Sequence, residues 1–196
     1  FWLDPGSAFG TGHHETTAMA LEALGRMELV GKTVLDVGSG SGVLAIAADA
    51  RGAEAAYGID VDPATLKVAR ENARRNRSRA RFGVGTLPAP GARGFVVNPE
   101  ASDGLGDSGS FAPARGLPGR FDVIVANLYA ELHTALARGY AAGLLPGGSL
   151  VLTGILSRLA GSVEEAVTSA GLRITYREER GEWTLLQAGL DAEAPR

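Results

Sequence analysis

Residues 34–42 read VLDVGSGSG, a short apolar run that passes through three glycines. An apolar helical pattern follows at once, through Val43, Leu44, Ile46, Ala47 and Ala50, and stops near Gly52. A strand that turns through glycines into a helix leaves a chain few options. The glycines allow a tight turn and a close backbone approach, and the helix must then return along the sheet to a neighbouring parallel strand. The rest of the chain keeps this rhythm. A second strand is expected at 55–59. Asp62 and Pro63 suit the N-cap and first position of a helix running to about Asn76, with arginines near its end. Strands are expected at 79–84 and 121–126, then a helix at 131–144, a turn at 146–148, a strand at 149–153 and a helix at 162–170 closed by Gly171. Residues 172–178 and 182–188 flank Arg180 and Gly181 as a terminal antiparallel hairpin. The pattern predicts an α/β fold with a mainly parallel, seven-stranded sheet and helices on both faces.

One stretch breaks the rhythm. Residues 86–119 hold seven Gly and five Pro, nearly twice the density of the whole chain, and read as a flexible insertion within a single domain spanning 1–196. The composition also excludes several function classes. Without cysteine there is no disulfide scaffold, thiolate nucleophile or Cys-based metal site, and a reducing, cytoplasmic setting fits. No apolar run approaches the ~18 residues that a membrane span needs. A net charge of −3 argues against a nucleic-acid binder, and the arginines between Arg70 and Arg81 read as a solvated helix face. The opening FWLDPG is not a signal peptide. It lacks an initiator Met and leads straight into a dense motif, as a chain missing an N-terminal part would.

The chemistry concentrates around the glycine loop. Asp60 lies 22 residues beyond Gly38, at the end of the second strand, where an acid can accept hydrogen bonds from both ribose hydroxyls of an adenosine cofactor. The cofactor type is less settled. Counted from Gly38, the dinucleotide fingerprint fails at Val43; counted from Gly40, it passes with Gly42 and Ala45. Asp36, however, sits just before the loop, where a carboxylate repels a pyrophosphate and attracts a sulfonium ligand that also carries an ammonium. The acid followed by GxGxG resembles the loop of class I S-adenosylmethionine methyltransferases.

Upstream, residues 4–17 (DPGSAFGTGHHETT) crowd Gly6, Gly10 and Gly12 around Phe9 and Thr11, ahead of an apolar helix through Leu21 and Leu24. The segment reads either as a loop with a threonine cap or as a backbone-rich flap over a ligand. DPGSAFGTGHHETT, VLDVGSGSG and VANLYAEL, in this order and with the later TGIL and GEW, resemble the ribosomal protein L11 methyltransferase family. The resemblance implies a Rossmann-like class I methyltransferase fold, S-adenosylmethionine as cofactor, and transfer of methyl groups to lysine and N-terminal amines of that ribosomal protein. It also implies that the family's separate N-terminal recognition domain is absent here and that the 86–119 insertion is unusual. By the same resemblance Thr17, Gly38 and Asp60 hold the cofactor and Asn127 sits at the methyl-transfer site; with Asp36, Gly40 and Gly42 of the loop, and Asn127 itself, these make up the expected cofactor-binding set. Asn127 is also notable in its own right, as a polar residue ending an apolar strand where ligands of parallel sheets bind.

Methyl transfer to an amine needs a neutral nitrogen aimed along the bond that breaks. Asn127 Oδ1 and nearby carbonyls would aim it, and Phe9 and Leu128 would keep it neutral by desolvation. Candidate bases are His13, His14, Glu15 and His133. HHETTA is not a zinc motif, because Ala18 stands in place of the second histidine, and no metal is expected. A methyltransferase of another amine, a nicotinamide-dependent oxidoreductase and a non-catalytic binding module remain as alternatives.

Overall fold

A computed structural model describes residues 14–87 and 119–192. Its strands are β1 (Thr33–Val37), β2 (Ala55–Asp60), β3 (Arg81–Val84), β4 (Phe121–Asn127), β5 (Leu144–Leu156), β6 (Arg173–Arg180) and β7 (Trp183–Gly189). Its helices are α1 (Glu15–Arg26), α2 (Val43–Ala50), α3 (Pro63–Arg75), α4 (Ala130–Gly143) and α5 (Ala160–Ser169). The strands form one sheet in the order β3-β2-β1-β4-β5-β7-β6. β1 to β5 pair in parallel, and β7 runs antiparallel between β5 and β6. The predicted seven-stranded architecture is therefore the one found.

Strand alternation divides the core between the two faces. Val34, Val123, Val125 and Val151 join Met19, Leu24, Ile46 and Leu66 of α1, α2 and α3. Leu35, Ile124, Leu150 and Leu152 join Tyr140, Val163 and Val167 of α4 and α5 on the other face. Full burial of each such side chain is worth roughly 1.5–3 kcal/mol. The same alternation puts Asp36 and Asn127 on the α1–α3 face of the sheet, one strand apart.

Helix starts follow local chemistry. Asp62 caps α3 by accepting Ala64 N–H at 2.8 Å, as expected. Thr16 and Thr17 are not caps: His14 is, its ring nitrogen accepting Thr16 N–H at 3.4 Å, and both threonines lie buried inside α1. β3 starts at Arg81 rather than 79 because Asp49 accepts from Ser78 Oγ and Arg79 N, each at 2.8 Å, and holds those residues off the sheet. The 146–148 turn is absorbed into β5. Leu144 pairs with Phe121 and Ser149 with Val123, so residues 145–148 bulge outward inside a continuous strand. A second bulge falls at Thr153 and Gly154, which together oppose Leu185 of β7, with Gly154 at φ +81°. The 86–119 stretch lies outside the described residues except at its two ends, as do residues 1–13, Phe9 and His13 among them.

Gly42 is held by packing. It has φ +80°, and a Cβ there would lie 2.7 Å from the Phe82 ring and 3.0 Å from Ala69 Cβ. The expected result for Gly42→Ala is a loss of roughly 2–4 kcal/mol, combining left-handed backbone strain with overpacking. Urea unfolding checks this, with a lowered midpoint at unchanged slope, and Phe82→Leu in the same background should restore part of the loss.

Candidate functional site

Strand order reverses between β1 and β4, so the loops leaving their carboxyl ends diverge and open a crevice. A cavity of about 660 Å³ occupies that crevice, within the range of small-molecule sites. Thr17, Asp36, Gly38, Gly40, Asp60 and Asn127 all line it. Gly42 does not, because it faces the Phe82 ring instead.

The glycine loop is tied to the end of β2. Gly38 and Ser39 both donate to Ile59 O, at 2.8 and 3.0 Å, and Gly40 N–H donates to Asp60 Oδ2 at 2.9 Å. Asp60 Oδ1 accepts Asp62 N–H at 3.0 Å. In the first turn of α2, Ala45 N–H donates to Asp36 Oδ2 at 3.3 Å. The Gly38, Ser39 and Gly40 donors of the loop are thus committed, and two acidic side chains stand among them.

Asp36 is 1% exposed, and its second oxygen, Oδ1, has no hydrogen-bond partner among the described residues. Burial pushes its carboxyl up to about 7; the Ala45 N–H opposes the rise and the charge of Asp60 adds to it. Ser39 Oγ is likewise buried without a partner among the described residues. At Gly38 a Cβ would lie 2.5 Å from Leu128 Cδ2, so the absence of a side chain lets Leu128, just beyond β4, pack directly on the loop that leaves β1. A buried acid with an unpartnered oxygen, a second acid at the end of β2 and a glycine floor leave room for a ligand that joins a nucleoside to a positively charged tail.

Asn127 closes the other side. Its Nδ2 donates to Thr17 Oγ1 at 3.1 Å, and its Oδ1 lies against Gly154, where a Cβ would be 2.7 Å from that oxygen and 2.5 Å from Leu128 O. Thr153 Oγ1 donates to Thr16 O at 3.3 Å, so the start of α1 is fastened to both β4 and β5. Around this end the lining is apolar: Leu128, Tyr129, Leu132 and Leu136, with Trp183 edge-on to His14 at 5.1 Å. Tyr129 is 61% exposed at the rim.

The candidate bases separate. His133 is fully buried with both ring nitrogens bonded, to Tyr140 Oη and Thr153 O, and burial lowers it to about 4. It is no base. His14 caps α1 at the cavity edge, Glu15 faces Gly181 away from the lining, and His13 lies outside the described residues. Among the described residues no group of three or more His, Cys, Asp or Glu converges on a metal position. Sequence reasoning did not connect Trp183 or Gly154 with the site, since each reaches the cavity through β5–β7 pairing. The GEW and TGIL segments were their only sequence signal.

The family described as ribosomal protein L11 methyltransferase (PrmA) matches residues 1–190. The chain is 47% identical over 188 residues to the ribosomal protein L11 methyltransferase of Thermus thermophilus, an alignment covering 95% of this chain and 63% of that protein. A crystal structure of ribosomal protein L11 methylase from Lactobacillus delbrueckii subsp. bulgaricus superposes with a TM-score of 0.75 at 28% identity, covering 96% of this chain and 84% of that one. A Thermus thermophilus 16S rRNA methyltransferase in complex with AdoMet and guanosine shares the fold, with a TM-score of 0.63, 21% identity and coverage of 93% and 45%.

The two shifted buried groups set opposing pH dependences. Asp36 titrates near 7 when folded against 3.8 unfolded, so the folded chain holds the extra proton between these values and gains stability as pH falls through them. His133 titrates near 4 when folded against 6.5 unfolded, so its contribution is complete above 6.5 and is lost as pH falls toward 4. Asp36→Asn removes the first effect alone. Relative to wild type, the variant should lose on the order of a few kcal/mol between pH 8 and pH 5. Urea midpoints across that range check it, and parallel pH profiles would sink it.

Proposed function

The chain belongs to the ribosomal protein L11 methyltransferase family, and on that premise we propose that it transfers methyl groups from S-adenosylmethionine to lysine and N-terminal amines of ribosomal protein L11. The chain spans 63% of the length of its Thermus relative, so activity and substrate are assigned to it here as a proposal. One observation supports the cofactor most directly: Asp36, buried and with one carboxyl oxygen unpartnered among the described residues, lines the same cavity as Asp60 and Asn127. A dinucleotide is disfavoured, because the loop N–H groups that would hold its pyrophosphate donate to Ile59 and Asp60.

In this reading Asp60 holds the ribose hydroxyls, Asp36 holds the ammonium, and Gly38 and Gly40 let the backbone approach. When bound, S-adenosylmethionine supplies a methyl group already activated by its positive sulfur. The protein has to deliver a neutral, oriented amine. Asn127 Nδ2 is engaged by Thr17, which fixes the amide and leaves Oδ1 to accept an N–H from the amine. Leu128, Leu132 and Trp183 disfavour the ammonium form by desolvation. Both nitrogens of His133 are held, so the released proton is assigned to water at the open mouth.

The partner is the ribosomal protein, and the setting proposed is the cytoplasm where ribosomes are built. No helix among the described residues is long and apolar enough to cross a membrane. Direct nucleic-acid contact is not proposed, because Arg74 and Arg75 pair with Glu71 and Arg79 pairs with Asp49.

Calorimetric titration tests the cofactor: S-adenosylmethionine should bind, NAD should not, and Asp60→Ala should abolish binding. Binding of NAD alone would replace the reading with an oxidoreductase. For transfer, Asn127→Ala should lower methyl incorporation into L11 by about 100-fold while cofactor affinity stays within a few-fold; unchanged turnover would remove Asn127 from the mechanism. Assaying the chain alone and joined to the additional residues of the Thermus relative separates lost chemistry from lost docking.

A further inference from the structure

His133 sits on α4, packed against the opposite face of the sheet from Asn127, yet it reaches the same strand end. A neutral imidazole has one donor and one acceptor nitrogen, and here both are used. Nε2 lies 2.9 Å from Thr153 O and Nδ1 lies 3.0 Å from Tyr140 Oη. A carbonyl only accepts, so Nε2 carries the proton and Tyr140 donates to Nδ1. Thr153 O also accepts Leu128 N–H at 3.1 Å. One carbonyl oxygen thus binds the turn after Asn127 and the helix after that turn.

That oxygen belongs to the bulge residue preceding Gly154, whose bare Cα walls the Asn127 amide. Movement of the bulge would release Leu128 and open space beside Asn127 Oδ1 together. Packing alone would be served by two apolar side chains at 133 and 140, with no buried polar groups to satisfy. The histidine does something that leucine cannot: it gives Thr153 O a second donor. We propose that His133 is a positioning residue for methyl transfer, holding Thr153 O so that the β4–α4 turn presents Asn127 to the cavity. The inference rests on the reading of Asn127 given above.

The test compares His133→Leu, the double variant H133L/Y140F and His133→Gln in the full chain. The double variant removes the orphaned tyrosine hydroxyl and should regain much of the stability that H133L loses. Its kcat for L11 methylation should nevertheless stay roughly 10- to 100-fold below wild type, with KM for L11 and calorimetric cofactor affinity within a few-fold. H133Q, which keeps an N–H donor, should recover most of kcat. A merely structural role predicts instead that kcat returns with stability in the double variant. Nuclear magnetic resonance gives a readout independent of turnover. In the double variant the Leu128 amide should exchange at least tenfold faster, and the Asn127 side-chain N–H resonances should shift. If wild type methylates nothing, the functional reading fails, and the exchange and resonance data still decide whether His133 positions Asn127. Wild-type exchange and resonances in the double variant would overturn the proposal, as would wild-type kcat.

Discussion

The glycine loop takes its shape from hydrogen bonds to the end of the neighbouring strand. Gly38 and Ser39 both donate to Ile59 O, and Gly40 donates to the carboxylate of Asp60. With those three donors engaged, less of the loop is left for a phosphate, and two acids stand beside it. Asp36 then matters more than its size suggests. It is buried, half-satisfied by Ala45, and its other oxygen has no partner among the described residues.

The second half of the site depends on close approach between backbones. Asn127 ends β4 and Thr153 pairs beside it on β5, where a bulge and a left-handed Gly154 bring the two chains within reach of one amide. α1 is brought in by Thr16 and Thr17, and its far end is held by Arg180 to Glu22 and Arg26 to Glu178. Such exposed ion pairs contribute little energy. Their effect is on where the helix lies.

Much of this was legible along the chain. Glycines between an apolar run and a helical period, an acid 22 residues on, and a polar residue ending FDVIVA are local signals, and they placed Asp36, Gly38, Gly40, Asp60 and Asn127 on one cavity. Properties that arise between strands were not legible. Gly42 looked like part of the cofactor loop and is required by the Phe82 ring, which arrives from β3. His133 looked like a candidate base and is held by a carbonyl 20 residues away. Pro146, Gly147 and Gly148 looked like a turn, yet pairing with β4 on either side carries them as a bulge within β5. In each case the deciding partner is distant in sequence, where periodicity and spacing carry no information.

β7 lies inside the sheet although it is the last strand of the described chain. Leu185 is the residue against which the bulge at Thr153 and Gly154 forms, and Trp183 arrives with the same strand. During synthesis the glycine loop and Asp60 can associate early, through pairing between neighbours in the chain. The wall beside Asn127 must wait for a strand nearly 60 residues later. Contacts of such separation form slowly because loop closure precedes their reward. The half of the cavity lined by Asp36 and Asp60 is therefore encoded to mature first, and a nascent chain would hold a place for its ligand before it could orient anything against it.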